Sequence, residues 1–93
     1  MDAELMATLD SIASKDGVQG VLIADDMGLC LGARGIAKPA ASAFVASIAN
    51  TALELSDRGE TEDKSQYPTI HIEYEHHKLI IRNEGAFTLA IFT

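Results

Sequence analysis

The 93-residue sequence has no tryptophan, two prolines and a single cysteine, Cys30. One cysteine excludes an internal disulfide, cannot alone build a thiolate metal site, and fits a reducing compartment. Basic residues are scarce as well, with 7 Lys and Arg against 14 Asp and Glu. The resulting negative field repels phosphate backbones and anionic lipid, so no nucleic acid partner is expected. Long apolar runs are missing too: none approaches the roughly 20 residues that cross a bilayer. Asp2 and Glu4 stand where a secretory signal carries positive charge, and residue 2 is not the Gly that N-myristoylation requires. The expectation is a cytoplasmic chain without direct membrane insertion, reaching a membrane only through another protein.

What is present is one domain's worth of apolar sequence, 47% of the chain. Leu5, Met6, Leu9, Ile12 and Ala13 fall at helical spacing and Gly17 follows as a stop, which predicts a helix over residues 2 to 14. Two runs, 18 to 25 and 29 to 36, flank Asp26-Met27-Gly28 and read as a hairpin. Gly20, Gly32 and Gly35 inside them point to bulges or close backbone approach. Pro39 opens a second helix over residues 40 to 56. Residues 57 to 66 have no apolar side chain and read as a mobile acidic loop. Alternation then places Ile70, Ile72 and Tyr74 on one strand face and Thr69, His71, Glu73 and Glu75 on the other. Pro68 suits an edge strand. Turns at His76-His77 and Glu84-Gly85 complete a three-stranded meander with strands 78 to 83 and 86 to 92. The order is α-β-β-α-β-β-β. The expected class is α+β, a two-layer sandwich of a five-stranded antiparallel sheet with the helices on one side.

The second helix carries more apolar surface than one sheet needs. At about 100° per residue, Ala41, Phe44, Val45, Ile48, Ala52 and Leu55 form one stripe, assigned to the sheet. Ser42, Ala46, Ala49 and Leu53 lie beside it and are assigned to a partner, since small residues let a facing helix come close and Leu53 can anchor it. The competing reading is that alanine is a good helix former whose exposure costs almost nothing. The edge position of the strand from Thr69 favours an interface, because unpaired N–H and C=O groups there can pair with another chain. The expected contact set is Ser42, Val45, Ala46, Ala49 and Leu53 on the helix and Thr69, His71, Glu73 and Glu75 on the strand. On that reading Ala49→Glu blocks partner binding and leaves the fold helical.

Chemistry finds little support. Gly28 to Gly35 has neither the glycine spacing nor the following helix of a phosphate loop. Adjacent His76 and His77 point to opposite faces of a strand, and with His71 and Glu73 or Glu75 they make a weak zinc candidate. Cys30 between Leu29 and Leu31 reads as a small hydrophobe rather than a nucleophile. Ser42, Ser47 and Ser56 lack the glycines of a nucleophile elbow. Asp25 and Asp26 suit a turn, and Arg34 an ion pair or an acidic partner. No catalytic residue, metal site or cofactor is assigned, and an enzyme is not expected.

The element order and the segment Gly20-Val-Leu-Ile-Ala-Asp25-Asp-Met-Gly28-Leu-Cys-Leu-Gly32-Ala-Arg-Gly35, with Tyr67-Pro-Thr-Ile, Leu79-Ile-Ile-Arg and Glu84-Gly-Ala-Phe-Thr-Leu-Ala-Ile, resemble the roadblock superfamily. Within it the chain is similar to Ragulator complex subunits of the hepatitis B X-interacting protein type. The acidic loop departs from that pattern. The resemblance implies a roadblock sandwich in its short form, lacking a third, C-terminal helix. It also implies a non-catalytic scaffold subunit that heterodimerises with another roadblock-fold subunit and is wrapped by a lipidated scaffold subunit. Through that complex the chain would sit on the cytosolic face of the lysosome or vacuole and help recruit Rag GTPases for amino-acid signalling to TORC1. The alternatives are a self-pairing roadblock protein of the dynein light-chain or small-GTPase-regulator kind, and a small-molecule or metal-sensing domain.

Overall fold

A computed structural model describes residues 3–55 and 67–93. Helix α1 (Ala3–Ala13) leads into strands β1 (Gly20–Asp25) and β2 (Cys30–Gly35). A 3-10 turn (Pro39–Ala41) then starts helix α2 (Ser42–Leu55), and β3 (Thr69–Glu73), β4 (Lys78–Asn83) and β5 (Phe87–Phe92) follow. The order read from the sequence holds. The expected mobile loop, 57 to 66, lies outside the described residues.

All five strands join one antiparallel sheet in the order β2-β1-β5-β4-β3. Three short turns set its registers. Asp25 organises the first: its Oδ1 accepts from the backbone N–H groups of Met27 and Leu29 at 3.0 and 2.8 Å. Tyr74 N–H donates to the His77 carbonyl at 2.8 Å in the second, and Glu84 N–H to that of Phe87 at 2.9 Å in the third. The glycines inside the first hairpin answer the expectation of irregular strands. The register slips between Ile23 and Ala24, leaving Leu31 as the extra residue of a bulge. Gly35 has φ +65°, and a Cβ there would strike the Gln19 carbonyl.

The layering differs from the expectation that both helices lie on one side. Val21, Leu22, Ile23 and Ala24 are all fully buried, although consecutive side chains on a strand point to opposite faces. Both faces of β1 are therefore covered. Leu9 of α1, with Leu5 and Ile12, packs on Val21, Ile23 and Leu89. Val45, Ala46 and Ala49 of α2 pack on the other face, against Leu22, Ala24, Leu79, Ile81 and Ala90. The helices sandwich the sheet, as an unbroken apolar strand requires. Arg34 ties α1 to β2 through an Nε–Oδ1 ion pair of 2.7 Å with Asp10, the intramolecular option among its two readings.

Gly35→Ala is expected to destabilise the fold by about 2 kcal/mol, since it adds both a strained φ and a backbone collision. Urea unfolding followed by circular dichroism measures it. An unchanged midpoint would contradict the close approach of β2 to Gln19.

Candidate protein-interaction surface

Polar bonds and small side chains fix how α2 is rotated on the sheet. Ser42 Oγ donates to the Gly28 carbonyl at 2.8 Å, and Asn50 Nδ2 to the Asp26 carbonyl at 3.2 Å. The β1–β2 turn is thereby pinned along one flank of the helix. A Cβ on Gly28, whose φ is +92°, would stand 3.1 Å from Ala43 Cα, so only glycine lets the turn come this near.

This seating corrects the helical half of the expected contact. Ser42, Val45, Ala46 and Ala49 are buried in the chain's own core, at 6%, 3%, 3% and 0% exposure, and cannot reach a partner. Leu53 is half-buried. Of the stripe assigned to the sheet, Val45 alone is fully buried, Ala41 and Ala52 are half-buried, and the large members are turned out: Phe44 is 73% exposed, Ile48 37% and Leu55 86%. Phe44, Ile48, Thr51 and Leu55 repeat at intervals of four, three and four, the spacing of a helix–helix seam. Ser42, Ala46, Ala49 and Leu53 repeat at the same intervals on the opposite side. Periodicity alone cannot choose between two such seams. The observable signal is close approach: Ala24, Ala37 and Ala90 pack with Ala46 and Ala49, and Gly28 lies against Ala43, so small residues on both sides let the helix lie near the sheet and the turn.

The strand half stands differently. β3 is at the edge of the sheet, and Thr69, His71 and Glu73 are exposed. Tyr74 and His77 close the turn through a hydrogen bond, so alternation directs the N–H and C=O groups of Ile72 and Ile70 towards β4. Lys78 meanwhile exchanges both of its bonds with Thr93 on the β5 side, which fits the same alternation. The backbone groups of Thr69, His71 and Glu73 therefore point off the edge, and among the described residues no strand pairs with them. Their side chains lie on the face opposite α2, because Ile70 and Ile72 pack towards it. Backbone groups and Ile70 link edge to helix: Ile48, Ala52, Leu55 and Ile70 line one shallow groove. Glu75 lies beyond the strand, in the β3–β4 turn, with its Oε1 3.7 Å from His76 Nε2.

Among the described residues, no three His, Cys, Asp or Glu side chains are grouped to hold a metal ion, and no helix is long and apolar enough to cross a membrane. Cys30 is a free, half-buried thiol.

A five-stranded antiparallel sheet sandwiched by helices in this order defines the roadblock/LC7 fold. Myxococcus xanthus MglB superimposes with a TM-score of 0.76 at 18% identity, over 97% of this chain and 75% of that one. A Roadblock/LC7 domain from Streptomyces avermitilis does so with 0.67 at 14%, over 97% and 75%. A structure titled "MglB with tetrameric arrangement" gives 0.74 at 19%, over 99% and 74%. The chain belongs to the family of Ragulator complex protein LAMTOR5, whose model matches residues 1–93. It is 35% identical to the Ragulator complex protein LAMTOR5 homolog of Nematostella vectensis over 91 residues, 98% of this chain and 94% of that protein.

Ala49→Glu is expected to unfold the chain rather than merely block binding, because it places a carboxylate in a fully buried site. Phe44→Glu should shift stability by less than about 1 kcal/mol. Thermal denaturation of both variants decides: a folded Ala49→Glu protein would contradict this seating of α2.

Proposed function

We propose that the chain is a non-catalytic scaffold subunit of a Ragulator-type complex, heterodimerising with a second roadblock-fold subunit through the outward seam of α2 and the open edge of β3. Within that complex it helps recruit Rag GTPases to the lysosomal or vacuolar surface in amino-acid signalling to TORC1. Membership of the LAMTOR5 family supports the complex. The observation that carries the pairing is the seam of Phe44, Ile48 and Leu55 beside an edge strand whose outward backbone groups pair with no strand among the described residues. Covering such side chains stabilises a complex by about 1.5–3 kcal/mol for each one fully buried, and strand addition supplies register. Thr69, His71 and Glu73 serve through their main chains, and Glu75 lies where the paired strand leaves the edge.

Self-pairing is the second reading, favoured by the likeness to the MglB structure titled as a tetrameric arrangement. A net charge of −7 per chain weighs against it, since two identical copies repel each other at long range.

Co-expression with each roadblock-fold Ragulator subunit of the same organism is expected to give a 1:1 complex with one of them. Phe44→Glu combined with Leu55→Glu should abolish it while the isolated chain stays folded. His71→Pro, which removes an outward N–H and no bond to β4, should weaken it roughly tenfold or more. A tight homodimer of the isolated chain by light scattering, or a complex indifferent to all three substitutions, would contradict the proposal.

A further inference from the structure

A second apolar depression, of ≈ 310 Å3, opens on the α2 side of the sheet away from the β1–β2 turn. Ile36 and Tyr74, 54% and 60% exposed, line it with Leu79 and Phe92, while His77, Lys78 and Thr93 complete its border. Leu79 and Phe92 are paired across β4 and β5, and Tyr74 continues the face of Ile70 and Ile72. The main chain around it is already bonded. Ile36 N–H donates to the Gln19 carbonyl and Tyr74 N–H to that of His77, while Lys78 and Thr93 exchange both of theirs. Whatever fills the depression is held by side-chain burial rather than by strand addition.

We propose that this depression receives a bulky apolar side chain from the C-terminal turn of the partner's facing helix. The inference rests on the heterodimer reading and extends its contact. A strand added antiparallel to β3 about His71, the middle of the three outward residues, sets the partner's counterpart of Ile70 opposite Ile72, next to Tyr74. In this chain the end of α2 shares a groove with Ile70, and Leu55 projects from it at 86% exposure. A partner of the same fold brings its own helix end over β3 to the Tyr74 depression. Reciprocally, Leu55 meets the matching position on the partner. Knob and depression stand about the approximate two-fold axis that antiparallel pairing of like subunits creates.

The test uses the full chain co-expressed with the roadblock-fold Ragulator subunit that forms the 1:1 complex, with Tyr74→p-benzoylphenylalanine as a photoreactive probe. Irradiation is expected to join residue 74 to the last turn of the partner helix that precedes its edge strand, located by mass spectrometry of the joined peptides. Ile36→Ser with Tyr74→Ser, both exposed positions, should raise the Kd roughly tenfold with an unchanged melting temperature. An intact complex whose cross-links fall elsewhere or are absent, with unaltered affinity in the double variant, overturns the inference and leaves the heterodimer standing. Failure of every roadblock subunit to pair overturns both.

Discussion

The seating of α2 on the sheet is the constraint on which the rest depends. Ser42 and Asn50 hold the helix to the β1–β2 turn, Gly28 admits the close approach, and Ala46 and Ala49 let the helix lie low over Leu22, Ala24 and Ala90. With that side satisfied, nothing among the described residues buries Phe44, Ile48 or Leu55 fully. A domain of this size is stabilised by only about 5–15 kcal/mol, so several outward large side chains are a substantial reserve for association. The core and the proposed binding surface are thus two sides of one helix, and its rotation decides which residues belong to which.

The second constraint comes from β1 and β3 together. β1 is apolar on both faces and must sit inside the sheet with a helix above and below. β3 alternates and stands at the edge, offering the backbone of Thr69, His71 and Glu73 to a neighbour. Because Ile70 belongs to the same groove as the end of α2, strand pairing and helix packing are one geometric event for a partner of the same fold. The proposed role needs no buried acid, base or nucleophile, and the 2.7 Å ion pair of Asp10 with Arg34 holds α1 to β2.

Much of this was legible in the sequence. The element order, the turn at Asp26-Met27-Gly28 and the edge position of the strand after Pro68 follow from periodicity and turn chemistry, and the roadblock resemblance rests on the first hairpin. The face of α2 was not legible in this way. Two seams with the same four-three-four spacing lie on opposite sides of one helix, and spacing alone does not say which faces the sheet. Tertiary packing turns Ser42, Val45, Ala46 and Ala49 inward against Leu22 and Ile81, with the β1–β2 turn held along the helix flank, and leaves Phe44, Ile48 and Leu55 outside. The unbroken Val21-Leu-Ile-Ala24 run did carry the signal for two covering helices, and its lack of alternation outweighs the general expectation for antiparallel sheets.

In the proposed pairing, the partner adds to β3 through the outward backbone groups of Thr69, His71 and Glu73. Residue-resolved amide hydrogen exchange, on the isolated chain and on its 1:1 complex with a roadblock-fold subunit, tests it most directly. Strand addition at this edge gives fast exchange at these three amides in the free chain, strong protection on binding, and little change at Ile70 and Ile72. Protection appearing on α2 alone, with the amides of Thr69, His71 and Glu73 still exchanging freely in the complex, would contradict it.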